Sequence, residues 1–150
     1  MLASLKKAPG SHIINTSSLF GLIAPPGQSA YCTGKFGLRG FSESIAGELE
    51  DDGIGVTTVH PGGINTRIAT SGRRSERTSQ GDAEAGLAIA AKALRMPPPA
   101  KAARIILDAT RRRKPRVLVG ADAKLLDVIP RLALSQMRRI LRVGTPRKRR

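Results

Sequence analysis

Two periods of apolar patterning alternate along the chain. Residues 12–17 (HIINTS), 55–60 (GVTTVH) and 116–119 (RVLV) are short, apolar or β-branched, and bounded by glycine or proline, so each is predicted to be a buried strand. The segment from Ser29 to Asp51 has helical spacing instead. Leu38, Phe41, Ile45 and Leu49 fall on one stripe, which predicts a helix over 30–50 with Gly53 placed for a left-handed cap after Asp51-Asp52. Residues 64–80 are polar and rich in Ser, Gly and Arg and predict an exposed loop. The Ala-rich stretch 82–95 predicts a helix that Pro97-Pro98-Pro99 breaks. A further helix over 99–112 follows, with Ala102, Ala103, Ile106 and Ala109 as its inner face. In 122–142, Leu125, Ile129, Leu132, Gln136 and Ile140 share a stripe, and Pro130 is expected to divide the helix in two.

Strands joined by helices long enough to cross over imply parallel βαβ units, hence an α/β fold with a doubly wound parallel sheet. The three strands are predicted to be parallel neighbours, with helix 30–50 crossing between the first two. Ligands in such sheets sit beyond the carboxyl ends of the strands, here just after residues 17, 60 and 119.

Composition narrows the class. One cysteine, Cys32, excludes an internal disulfide and fits a reducing, cytoplasmic setting. No apolar run is long enough to span a bilayer, and the first ten residues lack the apolar stretch of a secretory signal. The net charge of +15 is concentrated in residues 101–150, which hold 16 Lys/Arg against 3 Asp/Glu. Residues 1–143 read as one unit and residues 144–150 as a disordered basic tail. A solvated face explains such clusters, and so does contact with anionic lipid or nucleic acid. The basic region has no aromatic residue for base stacking, which weighs against nucleic acid. A peripheral membrane contact and a homo-oligomer both stay open.

The chemistry concentrates near the first strand. Tyr31 and Lys35, one helical turn apart, share a face. A phenol titrates near pH ~10 and is a poor base at neutrality, but a neighbouring ammonium favours its anion, so the two form a plausible acid–base pair. Taken singly, Tyr31 reads equally well as a half-buried anchor and Lys35 as a solvated charge. Ser17 and Ser18 end the first strand at the ligand-facing edge, where the ordinary role of a serine is a turn or cap. A hydroxyl at Ser18 also suits holding a carbonyl oxygen beside the Tyr31 proton.

Three segments then form a pattern. Asn15-Thr16-Ser17-Ser18-Leu19-Phe20-Gly21 resembles the N-x-S-S-x-x-G segment of the short-chain dehydrogenase/reductase family. Ser29-Ala30-Tyr31-Cys32-Thr33-Gly34-Lys35 resembles its S-x-Y-x-x-x-K segment, and His60-Pro61-Gly62-Gly63-Ile64-Asn65-Thr66 its P-G-x-x-x-T loop. The resemblance covers about residues 1 to 130 and implies the last three strands of a Rossmann-like sheet with their flanking helices. It implies hydride transfer between NAD or NADP and an alcohol or ketone. Tyr31 would exchange the proton, Ser18 would hydrogen-bond the substrate oxygen, and Lys35 would favour the phenolate and bind the nicotinamide ribose. Pro61 and Gly62 would shape the loop beside the nicotinamide, with the Ile64 backbone and Thr66 side chain meeting its carboxamide.

The family's T-G-x-x-x-G-x-G pyrophosphate turn, its N-N-A-G segment and its catalytic Asn are not found in the 150 residues. A truncated gene, a mis-assigned start or a fragment is therefore expected, inactive by itself, with the first strand left with an open edge. The alternatives are a non-catalytic remnant and a basic binding module. The choice between NAD and NADP stays open. A substrate with an apolar body is expected from Ile68, Leu87, Ile89 and Leu94 in the presumed lid, residues 66–95.

Overall fold

A computed structural model describes residues 2–66 and 97–132. The order is α1 (Leu2–Lys6), β1 (His12–Thr16), a 3-10 turn (Leu19–Gly21), α2 (Ser29–Glu48), β2 (Gly55–Pro61), α3 (Pro99–Arg111), β3 (Arg116–Val119) and α4 (Ala121–Leu132). The helix expected over 82–95, nearly all of the presumed lid, the stripe beyond Leu132 and the basic tail lie outside the described residues.

The sheet is parallel with order β1-β2-β3. Ile13 stands beside Val56 and Thr16 beside Val59, while Val59 stands beside Val117 and Pro61 beside Val119. The expected parallel arrangement is therefore what the chain adopts, with α2 between the first two strands in sequence. Among the described residues nothing pairs the outer edge of β1, and Ile14 there is exposed.

Two apolar clusters cover the sheet. Val59, Val117 and Val119 pack with Ala102 and Ala109 of α3, joined by Ile64, Ile105 and Ile106. Val56 packs with Leu49 and Ile54, joined by Leu5, Ile13, Ile45 and Ala46. Val56 and Val59 are three apart on a strand of period two, so these clusters lie on opposite faces, as double winding requires. Thr57 and His60 are also fully buried in β2. Thr57 satisfies its hydroxyl by donating to the Lys114 carbonyl at 2.6 Å and accepting from His12 Nε2 at 2.7 Å.

The helix faces differ in detail from the apolar stripes. In α2 the inner face carries Cys32 and Ser42, with Leu49 buried at the C-cap, and Phe41 is 56% exposed. Ser42 is tolerated inside because it donates to the Leu38 carbonyl at 2.6 Å and accepts from Asn15 Nδ2 at 2.9 Å. Gly53 does have positive φ (66°), but α2 has already ended at Glu48, so it serves the following turn rather than the helix cap. In α3, Ala103 faces out and Ile105 takes its place. The largest correction is α4. Leu125 and Leu132 are 60% and 83% exposed, whereas Asp122, Ala123 and Asp127 are buried. Pro130 lies inside α4 rather than dividing it within the described residues.

Asp127 explains the reversal. It accepts from Arg116 Nη1 at 2.9 Å and Nη2 at 2.8 Å, a bidentate pair fastening α4 to the start of β3. Planar two-point pairing with little solvent is the strong form of such a contact. We expect Asp127→Ala to cost about 2 kcal/mol of folding free energy, as for loss of charged hydrogen bonds. Urea unfolding checks this, and a variant as stable as the parent would show that α4 is held by something else.

Candidate active site at the carboxyl ends of the strands

The chain leaves β1 at Thr16 and turns through Ser17 and Ser18. Ser17 is buried, and its hydroxyl donates to the Lys35 carbonyl at 2.8 Å. That bond ties the turn to α2. Ser18 caps the 3-10 turn, its Oγ accepting from the Phe20 amide at 3.1 Å. The ordinary capping role is thus real, yet it uses only one lone pair, and the hydroxyl proton is left to donate elsewhere. Phe20 then meets Tyr31 edge to face, with ring centroids 6.1 Å apart.

Tyr31 lies in the first turn of α2 and is 47% exposed. Cys32 beside it is buried, so the helix turns its next residue inward while the phenol faces out. One turn on, Lys35 reaches back to the end of β1. Its Nζ donates to the Thr16 carbonyl at 3.0 Å and stands 5.6 Å from the centre of the Tyr31 ring. This separation is that of a cation–π contact. Thr16, Ser18, Phe20, Tyr31 and Lys35 are thereby linked around one strand end.

The second group follows β2. Pro61 ends the strand, and the next residues are fixed one by one. The Gly62 amide donates to the Val119 carbonyl at 2.8 Å, and the Gly63 amide to Asp122 Oδ2 at 2.6 Å. Ile64 packs into the cluster around Val59, the Asn65 amide donates to Pro97 at 3.2 Å, and the Thr66 amide donates to Ile64 at 2.8 Å. The loop is thus held by β3, α4 and the core together.

His60, the last residue of the predicted second strand and the first of the segment resembling the P-G-x-x-x-T loop, joins the two groups. It is fully buried, and its Nδ1 donates to the Ser18 carbonyl at 3.0 Å. A carbonyl only accepts, so Nδ1 carries the proton. Nε2 has no partner. Burial holds the imidazole pKa below its ordinary value; the Ser18 carbonyl pulls the other way, and Arg116 and Arg39 add to the lowering. Asp122 was also missed, although it follows the third strand end directly.

A lowered imidazole pKa means that the unfolded chain takes up a proton that the folded chain resists. The stability from neutral His60 is full above 6.5 and is lost as pH falls below it. His12, lowered by burial and by Arg113, has the same sign. We expect denaturation midpoints to fall between about pH 8 and pH 5, with His60→Asn flattening the slope because it keeps a neutral donor near Ser18. A midpoint that rises on acidification would contradict a neutral His60.

Comparisons with known proteins bear on the family and the fold. A short chain dehydrogenase family model matches residues 1–77. The Mycobacterium tuberculosis protein SadH, named as an oxidoreductase, is 40% identical over 136 residues, covering 89% of this chain and 48% of its own length. The chain thus spans about half the length of this relative. A short-chain dehydrogenase structure from Streptomyces avermitilis superposes with TM-score 0.66 and 28% identity, over 97% of this chain and 56% of that one. A short-chain dehydrogenase from Burkholderia cenocepacia, solved with NADP, shares the fold with TM-score 0.71 at 19% identity, over 97% of this chain and 52% of its own. With half of the chain matched by the family model and the fold shared with solved members, the chain belongs to the short-chain dehydrogenase family.

Proposed function

We propose that this chain is the catalytic portion of an NAD(P)-dependent oxidoreductase that interconverts an alcohol and a ketone. The observation that carries the proposal is the Lys35 ammonium, 5.6 Å from the ring of the only tyrosine and anchored on the Thr16 carbonyl at a strand end. Its donor set suits the nicotinamide and ribose half of such a cofactor. Thr16 takes one of three ammonium protons, leaving donors for ribose hydroxyls. The held loop Pro61–Gly62, the Ile64 backbone and Thr66 would border the nicotinamide. When bound, the cofactor supplies the hydride donor or acceptor.

The chain's own residues supply the proton chemistry. In the reductive direction Tyr31 gives its hydroxyl proton to the substrate oxygen, and in the oxidative direction it takes that proton back. Ser18 donates its remaining hydroxyl proton to the same oxygen and orients it. Lys35 stabilises negative charge as it develops on the phenol oxygen. The half-exposed Tyr31 side chain is consistent with access by a substrate.

The pyrophosphate of a dinucleotide normally sits on a glycine-rich turn, which the 150 residues do not contain. We therefore expect calorimetric titration of the chain with NADH or NADPH to give binding weaker than micromolar. Micromolar binding by the monomer would mean that other residues, such as Arg73, Arg74 and Arg77, hold the phosphates. The catalytic reading is tested in a hybrid, in which the remainder of SadH outside its matched segment is joined to this chain. Ketone-dependent oxidation of NADH or NADPH is expected. Tyr31→Phe should lower kcat at least about 100-fold, since general acid catalysis contributes that much. Unchanged turnover in Tyr31→Phe would show the phenol to be structural.

A further inference from the structure

Granting the reading of residues 61–66 as the nicotinamide side of the site, we propose that Asp122 is a positioning residue that fixes this loop in its binding shape. Asp122 is the second residue of α4 and is buried despite its charge. Burying a carboxylate is costly unless hydrogen bonds replace its water. Here Oδ2 accepts from the Gly63 amide at 2.6 Å, a short charge-assisted bond. The first turn of α4 also turns its positive end toward the carboxylate.

The surroundings are shaped for that carboxylate. A Cβ built on Gly62 would collide with both Asp122 oxygens, and one on Gly120 would collide with Oδ1. Gly120 has φ +107°, a conformation that side chains rarely adopt, so the backbone passes close to Asp122 on both sides. The Gly62 amide is meanwhile held by the Val119 carbonyl. Two consecutive amides of the loop are therefore pinned, one by the last residue of β3 and one by Asp122. The carboxylate closes the loop from behind, while Ile64 anchors it in the core. Asp122 acts through Gly63 and does not itself touch a substrate or cofactor.

The test uses the full 150-residue chain and nicotinamide mononucleotide, the half-cofactor that needs no pyrophosphate turn. In amide NMR spectra, titration is expected to shift the signals of Gly62, Gly63, Ile64 and Thr66. Asp122→Ala should weaken this binding roughly tenfold, the effect of losing a charged hydrogen bond. Asp122→Asn, which keeps an acceptor oxygen, should lose less. A merely structural role would lower the thermal midpoint in both variants but leave affinity unchanged well below it, and that outcome overturns the proposal. Absence of any shift at residues 62–66 in the parent chain overturns the nicotinamide-side reading and the proposal together. Parent binding with equal binding by Asp122→Ala overturns only the role of Asp122. Hydrogen exchange of the Gly63 amide in the parent chain gives an answer even if a variant unfolds. Strong protection is expected, and exchange at the rate of an open loop would overturn the clamp.

Discussion

β2 must satisfy both its edges and both its faces at once, and the rest of the described structure follows from that constraint. It pairs in parallel with β1 on one side and β3 on the other. Val56 and Val59 bury against opposite helical layers. A parallel strand in this position leaves room for polar side chains only where each finds a partner, as Thr57 does between His12 and Lys114. Among the described residues His60 satisfies only one nitrogen, and that nitrogen binds the main chain of Ser18. Among the described residues the exception to full satisfaction thus falls at the strand end where the proposed chemistry gathers.

The site is built from backbone attachments more than from side-chain pairs. Ser17 binds the carbonyl of Lys35, Lys35 binds the carbonyl of Thr16, and His60 binds the carbonyl of Ser18. Each bond fixes where a strand or helix end lies, and the half-exposed Tyr31 inherits its position from them. The loop after Pro61 is fixed in the same way by β3 and α4. Rigid elements hold catalytic groups more closely than a free loop does, because ordering is completed during folding rather than during binding.

Much of this was legible in the sequence. Strand positions, parallel order and the Tyr31–Lys35 spacing follow from short-range periodicity, which backbone geometry imposes directly. The misassigned faces have a common cause. Phe41 and Leu125 were placed inside because they are apolar, while Ser42 and Asp127 hold the inner positions through hydrogen bonds and an ion pair. Such partners lie many residues away, in Asn15 for Ser42 and in Arg116 for Asp127, so no local pattern reveals them. His60 and Asp122 were passed over for the same reason. The position of Asp122 just past a strand end was the available signal, since polar residues there face the ligand side of a parallel sheet.

The decisive measurement is a crystal structure of the hybrid enzyme with a nicotinamide cofactor. The nicotinamide ribose is expected on Lys35 Nζ and the ring between Tyr31 and the loop from Gly62 to Thr66. A nicotinamide ribose away from Lys35, for instance in the groove lined by Lys114, Arg116 and Lys124, would contradict it.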